Sequence, residues 1–292
     1  MPVRDIPLVS EIREAVEHTM ETTLAQVEPE NLRDALLHAT QGGKKIRPLV
    51  VCLACSAAGG SWQGALQSAA AVEFLHVSSL IHDDIMDNSP LRRGKPTLHT
   101  LHGTAFAILA GDALIALAFD ILIASKGMHS ARRLHVLTEA FRQLCQGQAL
   151  DLMRATDTAC TTYRALRTAA GKTAALFRAA AEIGALHVAD AQHVITPLKD
   201  FGFALGMAFQ ARDDLLDVVG LEEMMGKPAH CDCGNGHLGW VSPEVDNETL
   251  ERTRGVVEYY TRAALEAVRR LPETPARLLL EHLAQSLEER VS

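Results

Sequence analysis

Aromatic residues are scarce in this sequence, at 4% of its 292 residues, although hydrophobic residues as a whole make up 48%. Alanine and leucine are abundant instead, and this combination favours helices over a β-sandwich. Charged residues account for 22% of the chain. Because this is close to the globular average, the composition excludes a disordered or fibrous protein.

Cysteine is also sparse, and the six cysteines are scattered. They do not form the dense pattern of a small disulfide-rich secreted domain. Arg4 and Asp5 lie near the start without an apolar core behind them, which is unlike a signal peptide. No apolar run approaches the roughly 20 residues of a transmembrane span. We therefore expect a cytoplasmic protein without stable membrane insertion.

The sequence has no excess of positive charge. Its 28 basic and 36 acidic residues give a formal net charge of −8. This balance argues against nucleic acid or an anionic membrane surface as the main partner. It also argues against an anionic ligand, unless the acids are concentrated where a metal ion can use them.

Apolar residues recur at three- and four-residue steps along almost the whole chain, and no useful length shows period-two alternation. The pattern predicts an all-α protein. Strong helices abut both irregular stretches, 88–97 and 220–242, without a linker, so residues 1–292 are predicted to form a single domain. The predicted helices cover 9–26, 29–42, 48–59, 63–87, 103–125, 130–153, 161–169, 173–188, 197–219, 243–271 and 275–289.

One acidic pattern occurs twice: residues 82–87 read HDDIMD and residues 212–217 read RDDLLD. On a helix the first and last acids of each copy share a face, where like charges repel. Both copies lie at predicted helix C-termini, which also disfavour negative charge. Magnesium binds carboxylate oxygens together with substrate phosphates, so the pair predicts a site for magnesium and a diphosphate. The alternative is helix-terminal acids bonded to neighbouring basic loops.

Basic residues cluster at a few points. Lys44 and Arg47 follow a glycine pair and are expected on one helical face, and Arg92 and Arg93 follow the first acidic motif. Phosphate recognition favours bidentate arginine together with lysine. Lys172 follows a glycine and is expected at a helix start, where backbone N–H groups also favour anions. The alternative is a set of solvated surface charges.

A series of short motifs follows in order along the chain: Gly43-Lys44-x-x-Arg47-Pro48, Glu73-Phe74-Leu75-His76, Leu80-Ile81-His82-Asp83-Asp84-x-x-Asp87, Leu91-Arg92-Arg93-Gly94-Lys95-Pro96-Thr97, Gly111-Asp112, Gly147-Gln148-x-x-Asp151-Leu152, Lys172-Thr173 and Phe209-Gln210-x-x-Asp213-Asp214-x-x-Asp217. In this order the motifs resemble the trans-isoprenyl diphosphate synthases, the polyprenyl synthetase family, and especially short-chain members such as geranylgeranyl and farnesyl diphosphate synthases. The second Asp-rich motif separates the sequence from class I terpene cyclases.

The resemblance implies a bundle of antiparallel helices around a central cavity, the isoprenoid synthase fold, usually in a homodimer. The implied reaction is head-to-tail condensation of isopentenyl diphosphate with an allylic diphosphate, with about three Mg²⁺ ions per site once substrate is bound. Magnesium and basic side chains would stabilise the departing diphosphate, so that the allylic C–O bond ionises. The double bond of isopentenyl diphosphate would attack the cation, and the released diphosphate would accept the final proton.

The family's functional residues carry over by motif position. Those implied to bind magnesium are Asp83, Asp87, Asp151, Asp213 and Asp217, with Asp84 and Asp214 in support. Those implied to hold the allylic diphosphate are Arg92, Lys172 and Lys227. Those implied to hold isopentenyl diphosphate are Lys44, Arg47, His76 and Arg93. Those implied to face the allylic cation or to complete the polar floor are Lys172, Thr173, Gln148 and Gln210.

The sequence departs from the family pattern after Lys227, where a second lysine is usual and His237 stands instead. A neutral imidazole is a weaker diphosphate partner than an ammonium group, so we expect weaker binding of the allylic diphosphate. A catalytically silent regulatory subunit or terpenoid-binding protein on the same scaffold is the alternative from another class. The intact Asp triplets argue against it.

Ser78 and Ser79 stand five and four residues before Asp83 and are expected on or near the cavity face, one turn below the metals. In family members that stop at fifteen carbons, one of these places is commonly aromatic. Two serines leave the floor open, so we expect geranylgeranyl diphosphate as the product, with farnesyl diphosphate or a longer chain as alternatives. Candidates for the next barrier are Leu75, Phe106, Leu109 and Phe119.

Overall fold

The computed structural model describes residues 5–127, 129–154, 162–188, 190–219 and 247–287. Helices dominate the described part, which confirms the all-α prediction. They are α1 (Pro7–Leu24), α2 (Glu30–Thr40), α3 (Ile46–Ala57), α4 (Leu66–Met86), α5 (Leu98–His102), α6 (Thr104–Ala124), α7 (Ser130–Arg154), α8 (Thr162–Ala169), α9 (Ala175–Ala185), α10 (Gln192–Val219), α11 (Asn247–Val268) and α12 (Pro275–Gln285). A short 3₁₀ helix, Trp62–Ala65, precedes α4, and a π-helical turn, Ala170–Ala174, joins α8 to α9.

The core lies where six of the helices pack against one another. α4 packs along α6, α3 packs on α9, and α10 packs against both α9 and α11. Their inward faces carry leucine, valine, alanine and a few phenylalanines, which together form one continuous buried cluster. The first acidic motif lies at the C-terminal end of α4 and the second lies near the C-terminal end of α10. The bundle therefore holds each motif at the end of a helix whose other turns are anchored in the core.

The irregular stretch after α4 contains a small hairpin that the sequence did not predict. Two strands of two residues each, β1 (Leu91–Arg92) and β2 (Lys95–Pro96), pair antiparallel. Arg93 and Gly94 form the turn, with φ angles of 52° and 74°. Positive φ at both central residues is typical of a tight two-residue hairpin turn. A strand of two residues is too short to show the alternation of polar and apolar residues by which strands are recognised in a sequence.

The start of α10 also differs from the prediction. The predicted helix began at Pro197, because proline is favoured in a first helical turn. In the structure α10 begins at Gln192 and Pro197 lies inside it. Ile195 and Leu198, on either side of the proline, are almost completely buried. Packing of this first part of the helix against the core therefore outweighs the local preference of proline for a helix start.

α6 corrects the prediction that no apolar run is long enough to cross a membrane. Among the described residues it is the one helix with that length and composition, and about a third of its most apolar window is buried. Asp112 and Asp120 divide this apolar segment into shorter pieces, so the sequence did not show it as one continuous apolar run. One of its faces packs against α4, while another exposes Ile108, Leu109 and Ile123.

Candidate active site

The first acidic motif forms the last turn of α4, where its two adjacent acids have different partners. Arg92, from the hairpin, donates from Nε to Asp84 Oδ1 at 2.7 Å. Burial raises the pKa of Asp84 above its ordinary value, and Arg92 opposes this rise. Burial also raises the pKa of Asp83, and there Lys172 is the main opposing charge. Asp84 is thus held by the hairpin, and Asp83 lies towards the neighbouring helices.

Lys172 lies between carboxylates from two helices. Its Nζ is 2.9 Å from Asp151 Oδ2 on α7 and 3.8 Å from Asp83 Oδ2 on α4. Burial alone would lower the pKa of Lys172, but Asp83, Asp151 and Asp87 together raise it above its ordinary value. The side chain is therefore a protonated cation at neutral pH, and it connects α4 to α7.

The backbone at Lys172 is not the helix start that the sequence suggested. α8 continues into α9 through the π-helical turn Ala170–Ala174, so Lys172 lies inside a helix. The N–H groups of an internal turn are engaged within the helix, whereas those of a free N-terminus are not. The prediction of an anion-binding helix start is therefore wrong. π turns insert an extra residue into a helix and occur frequently at functional sites.

A close approach of α7 to the π turn brings Asp151 within reach of Lys172. A Cβ at Gly147 would lie 2.3 Å from the backbone nitrogen of Lys172, and one at Gly171 would lie 2.8 Å from the carbonyl oxygen of Gln143. Backbone atoms cannot move aside as the end of a flexible side chain can. Glycine at both positions therefore allows the two segments to pack at this distance.

Gln210, on α10, is oriented by partners at both ends of its amide. Its Oε1 accepts a hydrogen bond from the Thr173 hydroxyl, and its Nε2 donates to Asp214 Oδ1 at 2.7 Å. The network thus assigns which end of the amide is oxygen. It also links the π turn to the second acidic motif.

Arg212 is a residue of this region that sequence reasoning did not assign. It is 3% exposed, and its Nη2 lies 2.9 Å from Asp213 Oδ1. Its guanidinium carbon lies 4.9 Å from the centre of the Phe209 ring. A signal was available, because Arg212 directly precedes the second Asp pair, at the place that His82 has in the first copy.

His82 faces α6. Its Nε2 lies 3.4 Å from the carbonyl oxygen of Ile108 and 3.6 Å from Asp112 Oδ1, both on α6. Both contacts belong to the α4–α6 packing and not to the cluster around Lys172.

A second group of cations surrounds His76. Arg47 donates from Nη1 to His76 Nε2 at 3.1 Å, and its guanidinium carbon lies 4.4 Å from the centre of the Phe177 ring. Because arginine has only donors, Nε2 of His76 accepts and the ring proton lies on Nδ1. Burial, followed by Arg47 and other nearby cations, holds the pKa of His76 well below its ordinary value. Burial lowers the pKa of Arg47 to about 10, so at neutral pH the arginine is charged and the histidine is neutral.

The remaining predicted residues lie in different settings. Lys44 was expected to share a helical face with Arg47, but α3 begins at Ile46 and Lys44 lies exposed in the loop before it. That prediction is wrong, because the left-handed backbone of Lys45 ends the loop immediately before the helix.

Other predicted residues lie on α7 or beyond the described side chains. Gln148, on α7, places Nε2 4.0 Å from Sδ of Met86. Lys227 and His237 lie outside the described residues, and Asp217 is described only through the backbone of its helix.

The fold and the motifs of this chain match those of a known protein family. Residues 29–271 match the family model described as Polyprenyl synthetase. The chain belongs to the polyprenyl synthetase family. The resemblance identified from its motifs is therefore confirmed.

Relatives of this polyprenyl synthetase bear names that agree with the family. It is 39% identical over 240 residues to the short chain isoprenyl diphosphate synthase of Methanothermobacter thermautotrophicus, covering 82% of this chain and 73% of that protein. It is 42% identical over 190 residues to the (2E,6E)-farnesyl diphosphate synthase of Mycobacterium bovis, covering 65% of this chain and 53% of that protein. The geranylgeranyl pyrophosphate synthetase of Pyrococcus horikoshii Ot3 has a TM-score of 0.89 and 32% identity, with 97% of both chains covered.

The donor set of this polyprenyl synthetase suits a hard divalent cation. In the part of the chain that the structure describes, no three His, Cys, Asp or Glu side chains are arranged around one metal position. Asp83, Asp87 and Asp151 instead act together on the single ammonium group of Lys172. Carboxylate oxygens in such excess are the ligands that magnesium prefers, so these residues fit the ion.

The Gly147→Ala variant tests whether close packing positions Lys172. The added methyl would overlap the backbone of Lys172 and move it away from Asp151, with a loss of about 1–3 kcal/mol in the free energy of unfolding. We expect kcat of the polyprenyl synthetase to fall about tenfold or more, because small displacements of positioned groups are costly. Steady-state kinetics and denaturant unfolding measure the two effects.

The matched control for this variant is Gly255→Ala, on α11, where an added Cβ meets nothing within 4 Å. It should leave kcat unchanged, with equal or greater stability since alanine favours helix. Wild-type kcat in a folded Gly147→Ala protein would contradict the positioning argument.

Proposed function

We propose that this prenyltransferase condenses isopentenyl diphosphate with an allylic diphosphate, head to tail and with Mg²⁺, and that its product is geranylgeranyl diphosphate. The observation that carries the proposal is the position of the Lys172 ammonium group between Asp83 and Asp151, 3.8 and 2.9 Å away. A partly buried cation surrounded by carboxylates can bind an anionic ligand only if further cations arrive with it. A diphosphate accompanied by magnesium meets that condition.

The departing diphosphate is the group that the site must stabilise. Asp83, Asp87, Asp151, Asp213 and Asp217 would hold magnesium, which supplies Lewis-acid stabilisation of the diphosphate when bound. Lys172 and Arg92 add fixed positive charge from the chain itself. Both are anchored by carboxylates, at Asp151 and Asp84, so little reorganisation is required when the C–O bond breaks.

The allylic cation requires oxygen atoms that face it without reacting. The Thr173 hydroxyl and the Gln210 amide are already hydrogen-bonded to each other, and Asp214 holds the other end of the amide. Their dipoles are therefore positioned before the charge develops.

The final proton needs another acceptor than His76, because Nε2 of that residue is occupied by Arg47. We assign it to the released diphosphate. The group around His76 is instead suited to the second substrate: Arg47, Arg93 and the exposed Lys44 would hold isopentenyl diphosphate, with His76 as a neutral partner. Binding of the allylic diphosphate would also involve Lys227, and the expected weakening by His237 stays a prediction.

The exposed face of α6 supports a homodimer. Ile108 is 43% exposed, and Leu109 and Ile123 are each 62% exposed, on a helix that is apolar almost throughout. Asp112 and Asp120 are also exposed on this helix and interrupt the apolar surface, but apolar patches beside polar residues are typical of a protein interface. A second copy of the chain would cover it, which is consistent with a cytoplasmic enzyme. The exposure of Leu109 also corrects its prediction as a barrier in the tail cavity, because its side chain faces outward.

The Leu109→Glu variant tests the homodimer. A charge on the α6 face would have to be buried at the interface, so the variant should be monomeric where the wild type is dimeric. Sedimentation velocity at matched concentrations measures this difference. Leu278→Glu, at a position on α12 that is 46% exposed, is the control and should remain dimeric. A monomeric wild type, or a dimeric Leu109→Glu protein, would contradict the assignment.

Chain length is proposed to depend on Ser79. It is four residues before Asp83, so the two side chains share a face of α4, and it is partly exposed. Its Oγ donates to the carbonyl oxygen of His76 at 2.7 Å, so the side chain lies along the helix. Ser78, which the sequence also suggested, is completely buried. A small residue at position 79 leaves space for a tail longer than that of farnesyl diphosphate.

Product chromatography after incubation with radiolabelled isopentenyl diphosphate, Mg²⁺ and dimethylallyl, geranyl or farnesyl diphosphate tests activity and length together. The wild type should form geranylgeranyl diphosphate, and Ser79→Phe should stop at farnesyl diphosphate because the ring fills the space below the metals. Ser78→Phe, at a completely buried position, should chiefly lower stability.

Two outcomes of this assay would contradict the proposal in different ways. Absence of condensation by the wild type with every primer would favour the silent subunit. Unchanged products from a folded, active Ser79→Phe enzyme would refute the role of this position in chain length.

A further inference from the structure

Glu73 is a buried carboxylate for which the proposed chemistry has no use. It lies on α4, ten residues before Asp83 and one turn before His76, and it is 4% exposed. We propose that Glu73 is a positioning residue that holds Lys45, Arg47 and Arg93 in the arrangement that receives isopentenyl diphosphate. This inference rests on the proposed function, in which Arg47 and Arg93 contact that substrate.

Lys45 is the direct partner of Glu73. Its Nζ is 3.3 Å from Glu73 Oε1, and it donates to the carbonyl oxygen of Thr40, at the end of α2, at 2.7 Å. Both side chains of the ion pair are at most 5% exposed. Lys45 therefore faces the protein interior and is not available to a substrate, whereas the adjacent Lys44 is exposed.

The pair determines where α3 begins. Lys45 precedes the first residue of α3 and has a left-handed backbone, with φ of 47°. A non-glycine residue adopts this conformation only when its surroundings compensate for the strain. The buried contacts of its ammonium group supply that compensation. Arg47 follows in the first turn of α3, so its position depends on the same anchor.

Arg93 approaches the same loop from the hairpin. Its Nη1 lies 2.6 Å from the place that a Cβ on Gly43 would occupy, so the guanidinium group fills the space that this glycine leaves. Burial lowers the pKa of Arg47 and of Arg93, and Glu73 opposes this lowering more than any other carboxylate does. The carboxylate thus acts on three cations, from the loop, from α3 and from the hairpin.

Electrostatics explains why a carboxylate is needed in an anion site. Two guanidinium groups and an ammonium group that lie near one another repel. This repulsion destabilises their charged forms and the close arrangement of the three side chains. A buried negative charge behind them offsets this repulsion before the substrate arrives. Glu73 would itself repel a diphosphate, and its position behind Lys45 keeps it out of contact. It therefore acts through the cations and not on the reacting atoms.

The Glu73→Gln variant tests the inference by steady-state kinetics in both substrates. We expect KM for isopentenyl diphosphate to rise about tenfold or more, with KM for the allylic diphosphate and kcat changed by less than about twofold, since only uniform binding of one substrate is lost. Glu73→Asp should restore part of the affinity because it restores the charge. Circular dichroism and thermal unfolding show whether each variant is folded.

A double variant, Lys45→Met with Glu73→Gln, tests whether a raised KM in Glu73→Gln results only from a fold disturbed by the unpaired Lys45. It removes both members of the Lys45–Glu73 ion pair, so Lys45 is not left as an unpaired buried charge and the variant should fold even if Glu73→Gln alone does not. Its KM for isopentenyl diphosphate should remain raised, because Arg47 and Arg93 still lack their counter-charge. A folded double variant with wild-type KM would overturn the inference, as would Glu73→Gln raising both KM values equally.

Glu182→Gln is the matched control. Glu182 is also a buried carboxylate, 7% exposed, and lies 3.6 Å from Arg132 and 3.8 Å from Lys199 on neighbouring helices. None of these residues belongs to the proposed site, so both KM values should be unchanged. Failure of the proposed function has a different signature, because the wild type itself would then not condense isopentenyl diphosphate.

Discussion

The ammonium group of Lys172, held between Asp151 of α7 and Asp83 of α4, is the interaction on which the rest of the site depends. It exists because Gly147 and Gly171 let α7 pack directly on the π turn. The same turn places Thr173 against Gln210 and so connects the first acidic motif to the second. Two helices therefore converge on a single cation that their carboxylates outnumber, and the turn that carries this cation also contacts α10 through Thr173.

The distribution of charge gives the net value of −8 a functional meaning. Asp83 and Asp87 of the first motif act with Asp151 on Lys172, where we propose that magnesium binds, and a group of cations, Arg47, Arg93, Arg92 and Lys45, lies near His76. Each group contains one member of the opposite sign: Lys172 among the acids and Glu73 among the bases. Glu73 is buried and Lys172 is partly buried, so that each stabilises its group before substrate binds.

Most of the fold and the identity of the acidic residues were accessible from the sequence, because helical periodicity and the repeated Asp triplets are local patterns. The π turn was not, since no proline or other break marks Ala170–Ala174 as anything but ordinary helix. The hairpin was missed because its strands have two residues each. The different burial of Ser78 and Ser79, and the inward direction of Lys45, depend on which neighbours pack against α4 and α3, and a single sequence does not encode those contacts locally.

The most direct measurement is an anomalous difference map from crystals of the enzyme grown with Mn²⁺ and an unreactive thio analogue of an allylic diphosphate. The account predicts metal peaks between the diphosphate and the carboxylates of Asp83, Asp87 and Asp213, with the Lys172 ammonium group in contact with the diphosphate. Metal peaks elsewhere, or a diphosphate bound away from Lys172 with the lysine still paired to Asp151 alone, would contradict it.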